Sequence, residues 1–213
     1  MSNVDSLSRD DAPTKKRYVL MPGSKGVDAA DLQFMEFSAY VDKVLSEKGF
    51  VKAPSFQEAE IAIFFTYAIG DPQTYQYSYS VPTWGQTGIA SSNTYGTVSS
   101  TGRTATYSGT TTYTPTYGVT GSTTQIGTNT VYSRFLFLDA YDTATYIKEN
   151  KMVQVWKTNV VSTGSSGDLR LVIPYMVAAM KPYVGTNTRQ KIEVEVLENS
   201  PEVKALRNEK ATK

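Results

Sequence analysis

The stretch Thr112-Tyr113-Thr114-Pro115-Thr116-Tyr117-Gly118 shows the composition that sets the architecture of this chain. It lies in a block between Asp71 and Arg134 in which Arg103 is the only charged residue and Thr, Ser, Gly and Tyr predominate. Thr and Tyr favour strands, whereas disordered segments are normally poor in aromatic residues and richer in charge. Recurring Gly and Pro divide the block into short strands and turns. The block is therefore predicted to form β-structure, as two hairpins or as one long hairpin of roughly 80 Å.

The composition of the whole chain excludes most catalytic chemistry. The chain has 213 residues, a net charge of +1, and neither His nor Cys. Without His, the usual general base and the commonest metal ligand are absent, and without Cys there is no thiolate, disulfide or iron–sulfur chemistry. A nearly neutral chain without a basic stripe also lacks the footprint of a nucleic-acid binder. The sequence predicts a non-catalytic protein with no cofactor, no metal site and no nucleic-acid partner.

The segments on either side of the block carry the hydrophobic patterns of a compact domain. Their apolar residues alternate, or recur at three- and four-residue steps, as strands and helices require. Strands are predicted at 18–21, 60–67, 134–141, 152–161 and 192–197, and helices at 28–48 and 168–185. This order predicts an α+β fold: a two-layer sheet with two main helices on one face and a long Thr/Tyr/Gly-rich β-hairpin-like insertion.

Domain boundaries follow from the same patterns. The predicted parts are a flexible polar leader at 1–16, an α+β core at 17–71 and 134–198, a low-charge β-rich insertion at 72–133, and a charged tail at 199–213. No apolar stretch approaches the length of a membrane-spanning helix, and the first residues lack the pattern of a signal peptide. The sequence is therefore that of a cytoplasmic protein or of the mature form of an exported one.

The best approximation to a catalytic carboxylate pair is Asp139 with Asp142. A glycosidase needs two carboxyl groups about 5 to 9 Å apart across a cleft, normally from separate elements. Two aspartates at the end of one strand fit the capping of a turn before Thr143 better. No catalytic role is predicted for them.

The segment Gly164-Ser165-Ser166-Gly167-Asp168 precedes a predicted helix and resembles an anion cradle. Helix N-termini present free N–H groups to anions. The segment lacks the Lys and the spacing of a P-loop, however, and Asp168 would repel a phosphate. A tight turn with an N-cap is the favoured interpretation.

Short motifs of the core are similar to those of a known family. They are Ala59-Glu60-Ile61-Ala62-Ile63, Gly70-Asp71-Pro72, Phe137-Leu138-Asp139-Ala140-Tyr141-Asp142, Val155-Trp156 and the helix end Glu47-Lys48-Gly49-Phe50. Over about residues 30–70 and 134–185 the chain resembles the DUF4136 family, bacterial envelope proteins that are commonly predicted lipoproteins. The resemblance implies an exported, anchored protein in the periplasm or at the outer membrane of a Gram-negative bacterium, with the cytoplasm as the alternative. It supplies no catalytic residues, and the chain contains no lipobox.

The uncharged edges of the insertion predict assembly, because unprotected strand edges pair with other chains. The predicted function is a non-catalytic cell-envelope module of lipoprotein type that mediates protein assembly or envelope integrity through 72–133. Its partner is another protein or a second copy of the chain. The predicted interaction surface consists of Tyr75, Tyr77, Tyr79, Trp84, Tyr95, Tyr107, Tyr113 and Tyr117.

The composition of the insertion also bears on glycan binding and on membrane contact. Tyr and Trp faces with neighbouring hydroxyl groups suit sugar rings, so a glycan- or peptidoglycan-binding module is the alternative function, with Trp84 as a candidate contact. Lipid-facing strands require apolar residues at alternate positions over about 9 to 11 residues, and Val81, Ile89 and Ile126 are too scattered for that. Membrane contact is therefore predicted only through an N-terminal lipid anchor that this chain has lost.

Overall fold

The computed structural model describes residues 1–197 and 199–207. Within these residues the chain forms one open sheet of eight strands and four helices, which confirms the predicted α+β class. The chain divides into two compact units, one made of Met1–Gln73 and the segment from Thr130 onward, the other of Thr74–Asn129. We call them the core unit and the hairpin. The predictions made for residues 198 and 208–213 lie outside the described residues.

The strands are β1 (Ser2–Ser8), β2 (Arg17–Pro22), β3 (Val51–Lys52), β4 (Ile61–Ile69), β5 (Gln73–Thr101), β6 (Thr104–Asp142), β7 (Gln154–Gly164) and β8 (Ile192–Val194), and the helices are α1 (Leu32–Glu47), α2 (Thr143–Glu149), α3 (Leu169–Met180) and α4 (Pro201–Leu206). The longest connections between elements are those from β2 to α1 and from α3 to β8. The strand order is β3-β2-β4-β6-β7-β1-β8, and β5 pairs with β6. Strand β2 runs parallel to β3 and β4, whereas β4, β6, β7, β1 and β8 pair antiparallel.

The hydrophobic core of the core unit is formed by residues of its strands and helices together. Alternate residues of β6, among them Leu136 and Leu138, are fully buried, and the apolar stripes of α1 and α3 join them in one cluster. Because side chains of a strand alternate between its two faces, the residues between them point to the other face and stay half-exposed. Burial of each large side chain contributes about 1.5 to 3 kcal/mol. The largest, Trp156, packs its ring against Phe50 at a centroid distance of 6.0 Å.

Helix α3 begins where the sequence predicted, with Asp168 as its N-cap, but it ends earlier. It begins at Leu169, where the Asp168 side chain accepts a hydrogen bond from the Arg170 amide at 2.9 Å. It then continues through Pro174 and ends at Met180, before the predicted end at residue 185. A buried apolar stripe on this helix compensates for the hydrogen bond that Pro174 removes from its interior.

The prediction of a flexible leader at residues 1–16 was wrong. Residues Ser2–Ser8 form β1, which pairs with β7 on one side and with β8 on the other. The buried face of β1 carries Ser2, Val4 and Ser6, so its hydrophobic signal is a single residue. The Ser6 and Thr158 hydroxyls lie 2.7 Å apart, which satisfies both buried polar groups. Internal hydrogen bonding therefore replaces the apolar pattern that would have identified this strand.

The prediction that residues 199–213 form a charged tail outside the core was wrong for residues 201–206. Helix α4 begins at Pro201 with Ser200 as its N-cap, and its side chains Val203 and Leu206 are buried in the core cluster. These two apolar residues, spaced three apart, form a short stripe that is enough to dock one helical turn. Residues 201–206 thus belong to the core unit.

Candidate functional site

The predicted insertion forms a single long hairpin. Strand β5 and the first part of β6 are joined by Gly102 and Arg103, and Gly102 has a φ of +66°. A positive φ at the first position of a two-residue loop fits the twist of a β-hairpin, and glycine adopts it without steric penalty. With 29 residues at about 3.3 Å each, β5 has a length of roughly 95 Å. The only charged side chain of the segment therefore lies at its turn.

Hydroxyl pairs connect the two strands of the hairpin. The side chains of Thr94 and Thr111 lie 2.8 Å apart, and those of Thr87 and Thr116 lie 3.2 Å apart. Cross-strand pairs of this kind each contribute roughly 0.2 to 1 kcal/mol. An isolated two-stranded hairpin is only marginally stable in water, because it has no hydrophobic face to bury. The hairpin thus depends on weak contacts that recur along its length.

Strand β6 carries different chemistry on its two faces. Every even-numbered position from 104 to 116 is Thr or Ser, whereas the odd-numbered positions from 105 to 119 include three Tyr residues, Ala, Pro and Val. Successive side chains of a strand point to opposite faces, so one face of β6 is a stripe of hydroxyls and the other is aromatic and apolar. We call the even-numbered positions 104–116 the threonine stripe. This period of two is visible in the sequence and is the signal that could have identified the stripe.

The predicted interaction residues are all exposed on the hairpin. Their exposed fractions are 58% for Tyr75, 54% for Tyr77, 49% for Tyr79, 72% for Trp84, 73% for Tyr95, 60% for Tyr107, 62% for Tyr113 and 70% for Tyr117. The rings of Tyr77 and Tyr79 lie 6.0 Å apart, but Trp84 is on the opposite face of β5 from these tyrosines by strand alternation. The structure spreads the eight residues along two strands and gathers them into no pocket.

The accessible surface area of the whole chain can be compared with the area expected for a compact monomer of the same mass. The chain has an accessible area of 13659 Å². A compact monomer of 23.4 kDa is expected to expose about 9,700 Å², which leaves an excess of about 3,900 Å². Stable protein interfaces bury about 1,200 to 2,000 Å² and obligate ones about 2,000 to 5,000 Å² in total. Each partner of an obligate interface buries about half of that total, about 1,000 to 2,500 Å², so one such interface would cover part of the excess of one chain.

The two candidate catalytic aspartates lie on opposite faces of β6. Asp142 is on the buried face, where its side chain caps α2 by accepting from the Thr145 amide at 2.7 Å and pairs with the Lys15 ammonium. Burial by itself would raise the pKa of Asp142, but the hydrogen bonds from Lys15 and Thr145 outweigh it and hold this pKa below its usual value. Asp142 is thus a structural anion.

Asp139 points to the other face of the sheet and has different neighbours. The Gln154 side-chain amide donates to its Oδ1 at 2.8 Å. Burial raises the pKa of Asp139, against the opposing effects of Lys157 and Gln154. Since the two carboxylates face away from each other, they form no acid–base pair across a cleft.

The described part of the chain offers few other features of a chemical site. Residues 1–197 and 199–207 contain no cluster of three Asp or Glu side chains placed to hold a metal ion. Among the same residues, no helix has the length and apolar character needed to cross a membrane. A cavity of about 320 Å³ lies on the half-exposed face of the sheet, and its apolar lining includes Phe56, Phe64, Tyr141, Tyr146 and Met152.

Comparison with known proteins adds no family. No family model and no curated protein matches this chain. The chain is similar to the crystal structure of a PDZ domain protein from Parabacteroides distasonis, at 10% identity and a TM-score of 0.38. The alignment covers 90% of this chain and 38% of that structure, so the chain spans well under half of its length. A similarity of this size supports no conclusion, and the resemblance to DUF4136 stays a prediction.

Proposed function

We propose that this protein is a non-catalytic assembly module whose hairpin pairs, edge to edge, with the hairpin of a second copy. The observation that carries the proposal is a hairpin of two long strands whose side chains are exposed almost throughout and whose edges carry no charge before Arg103 at the turn. In a two-stranded ribbon each strand has one edge whose N–H and C=O groups lack a strand partner. Native proteins protect such edges with charges, prolines or covering elements, and this hairpin has almost none of these.

A second copy is the proposed partner because the hairpin is chemically self-complementary. The Thr–Thr contacts that join its own strands, at 2.8 Å and 3.2 Å, can form equally between two copies. An uncharged surface offers no charge pattern by which a different protein would be selected. The excess surface of about 3,900 Å² per chain supports the same conclusion, since a homotypic interface would remove part of it from water.

The proposal extends to cellular location and to the finer architecture. We place the protein in the periplasm or at the outer membrane of a Gram-negative bacterium, held by a lipid anchor upstream of Ser2, as the DUF4136 resemblance implies. We also propose that the core unit is two-layered, with α1 and α3 as its main helices on one face, and that the hairpin is an arm that can be removed without unfolding it. The encoded precursor tests the location: a lipobox Cys after a signal peptide supports it, and a precursor without any export signal contradicts it.

Deletion of the hairpin tests the assembly function. Residues 74–129 are replaced by a two-residue turn, and the variant is compared with the full chain by light scattering coupled to size exclusion. The full chain is expected as an oligomer and the deletion variant as a folded monomer, with the far-UV circular dichroism of the core retained. An identical number of copies per particle in both would refute the proposal.

The alternative function is binding of glycan or peptidoglycan, favoured by the exposure of Trp84 and of the Tyr77–Tyr79 pair. Flat aromatic faces flanked by hydroxyls match the apolar faces and edges of sugar rings. Sedimentation with purified sacculi distinguishes the two functions. A chain that stays in the supernatant excludes the alternative, whereas retention that Trp84→Ala abolishes would favour it over assembly.

A further inference from the structure

A buried guanidinium without a counter-ion among the described residues lies in the core unit. Arg134 on β6 is 5% exposed, and it occupies the same face of the strand as Leu136 and Leu138. Transfer of a charged group from water to a protein interior is unfavourable unless the charge is paired and its hydrogen bonds are made. Within the described part of the chain, no carboxylate forms an ion pair with Arg134.

The hydrogen bonds of Arg134 leave part of its guanidinium unused. Nη1 donates to the Ser166 carbonyl oxygen at 2.9 Å and Nη2 donates to the Ser162 hydroxyl at 3.0 Å. Nε is buried and has no hydrogen-bond partner among the described residues. A guanidinium has several N–H groups in a rigid fork, so donors remain on all three nitrogens. Burial also lowers the pKa of Arg134, and no neighbouring charge opposes this effect.

The fork lies against the loop that precedes α3. A Cβ added at Gly164 would lie 2.9 Å from Nη2 and 3.1 Å from Nη1, so a side chain at this position would displace the guanidinium from where it lies. The loop continues through the exposed residues Ser165 and Gly167 to the N-terminus of α3, a helix of 12 residues. Helix N-termini attract anions through their dipole and free N–H groups. The Asp168 carboxylate is already used as the cap of this helix.

We propose that Arg134 and the loop of residues 164–166 form a binding site for a phosphate group. The site combines a cationic fork, the Ser162 hydroxyl that accepts from it, and a glycine-rich turn at a helix N-terminus that carries the exposed Ser165. An Arg fork matches phosphate oxygens bidentately, and short Gly and Ser residues let the backbone approach the anion closely. This site involves no residue of the hairpin and is independent of the assembly function.

Titration of the intact chain with inorganic phosphate tests the proposal, with sodium chloride adjusted to keep the ionic strength constant. The thermal midpoint is expected to rise saturably with phosphate, and isothermal titration calorimetry is expected to give a millimolar or tighter dissociation constant. Arg134→Met is expected to weaken phosphate binding at least tenfold. The matched control is Arg189→Met, which removes an exposed guanidinium and should leave the titration unchanged. Equal phosphate binding by Arg134→Met and the wild type would overturn the proposal.

A second variant keeps the test decisive if Arg134→Met does not fold. Gly164→Ala retains the charge but forces the fork away from the loop, so it is also expected to lose phosphate binding at least tenfold. Glycerol 3-phosphate replaces inorganic phosphate in a parallel titration. Binding of both probes identifies the phosphate group of a larger molecule as the ligand, and binding of inorganic phosphate alone identifies a free-anion site. No saturable response to either probe refutes the site.

Discussion

Charge placed on the threonine stripe is expected to separate the copies. Thr110, Thr112 and Thr114 are exposed and share one face of β6, at spacings of about 6.6 Å along the strand. Their simultaneous replacement by Lys gives the hairpin the kind of edge protection that it lacks. Lysine is a residue with which natural proteins prevent edge-to-edge pairing. The triple variant should therefore remain monomeric at concentrations where the wild type assembles.

The magnitude follows from the geometry of a paired edge. In a symmetric antiparallel pair of copies, three lysines face three lysines across strands at a Cβ separation of about 5 Å. Two unit charges 5 Å apart repel by about 0.8 kcal/mol at the dielectric constant of water, so three pairs give about 2.5 kcal/mol. Since about 1.4 kcal/mol is a factor of ten, the dissociation constant should rise about 60-fold or more.

Sedimentation velocity measures this change, and a matched neutral variant isolates charge from side-chain size. Replacement of the same three threonines by Gln adds comparable bulk without charge and should shift the dissociation constant by less than about fivefold. Raising the ionic strength to 1 M shortens the screening length to about 3 Å and should restore assembly of the Lys variant. Loss of assembly to the same extent in the Gln variant, or no loss in the Lys variant at low salt, would refute the proposed edge pairing.

Three further predictions concern the core unit. Asp142→Asn keeps the cap of α2 but removes the charge that pairs with Lys15, so chemical denaturation at pH 7 should show a loss of about 1 to 3 kcal/mol. Because the folded pKa of Asp142 is lowered, the difference should be present above about pH 4 and vanish as the pH falls through that pKa. Asp139→Asn should raise the thermal midpoint at pH 7 but leave it unchanged near pH 3. The folded pKa of Asp139 is raised, so the wild type loses stability as the pH rises through that pKa. A lower midpoint of the variant at pH 7 would contradict this. Val4→Ala should lower the free energy of unfolding by about 2 kcal/mol, while Leu7→Ala on the exposed side of β1 should change it by under about 0.5 kcal/mol; equal effects would argue against β1 as a core strand.

The sequence predicted those elements whose apolar residues follow a regular period. Strand β4 and the paired part of β6 and β7 alternate clearly, and α1 carries apolar residues at three- and four-residue steps, so all of them lie close to the predicted ranges. Strand β1 escaped prediction because Ser6 is buried through a hydrogen bond with Thr158, a contact 152 residues distant in sequence. No local pattern contains that information.

The sequence predicted the composition of the candidate site better than its geometry. Exposure of the hairpin aromatics follows from a block too poor in large apolar residues to form its own core. The single long hairpin, in contrast to two short ones, depends on which of many glycines forms the turn, and Gly102 does so through its positive φ. The proximity of Arg134 to the loop at 164–166 was not predictable, because an arginine at the start of an apolar strand is normally expected to be exposed to solvent. Pairing of β6 with β7 brings the two together.

Hydrogen–deuterium exchange of the hairpin amides, measured by NMR at several protein concentrations, tests the central claim most directly. In a free two-stranded ribbon, the outward-facing amides at alternate residues of β5 and β6 exchange rapidly, because they have no partner strand. Pairing between copies should slow these outward amides by at least tenfold as the protein assembles, while the amides between β5 and β6 change little. Outward amides that exchange rapidly at every concentration, including those at which oligomers form, would contradict assembly through the hairpin edges.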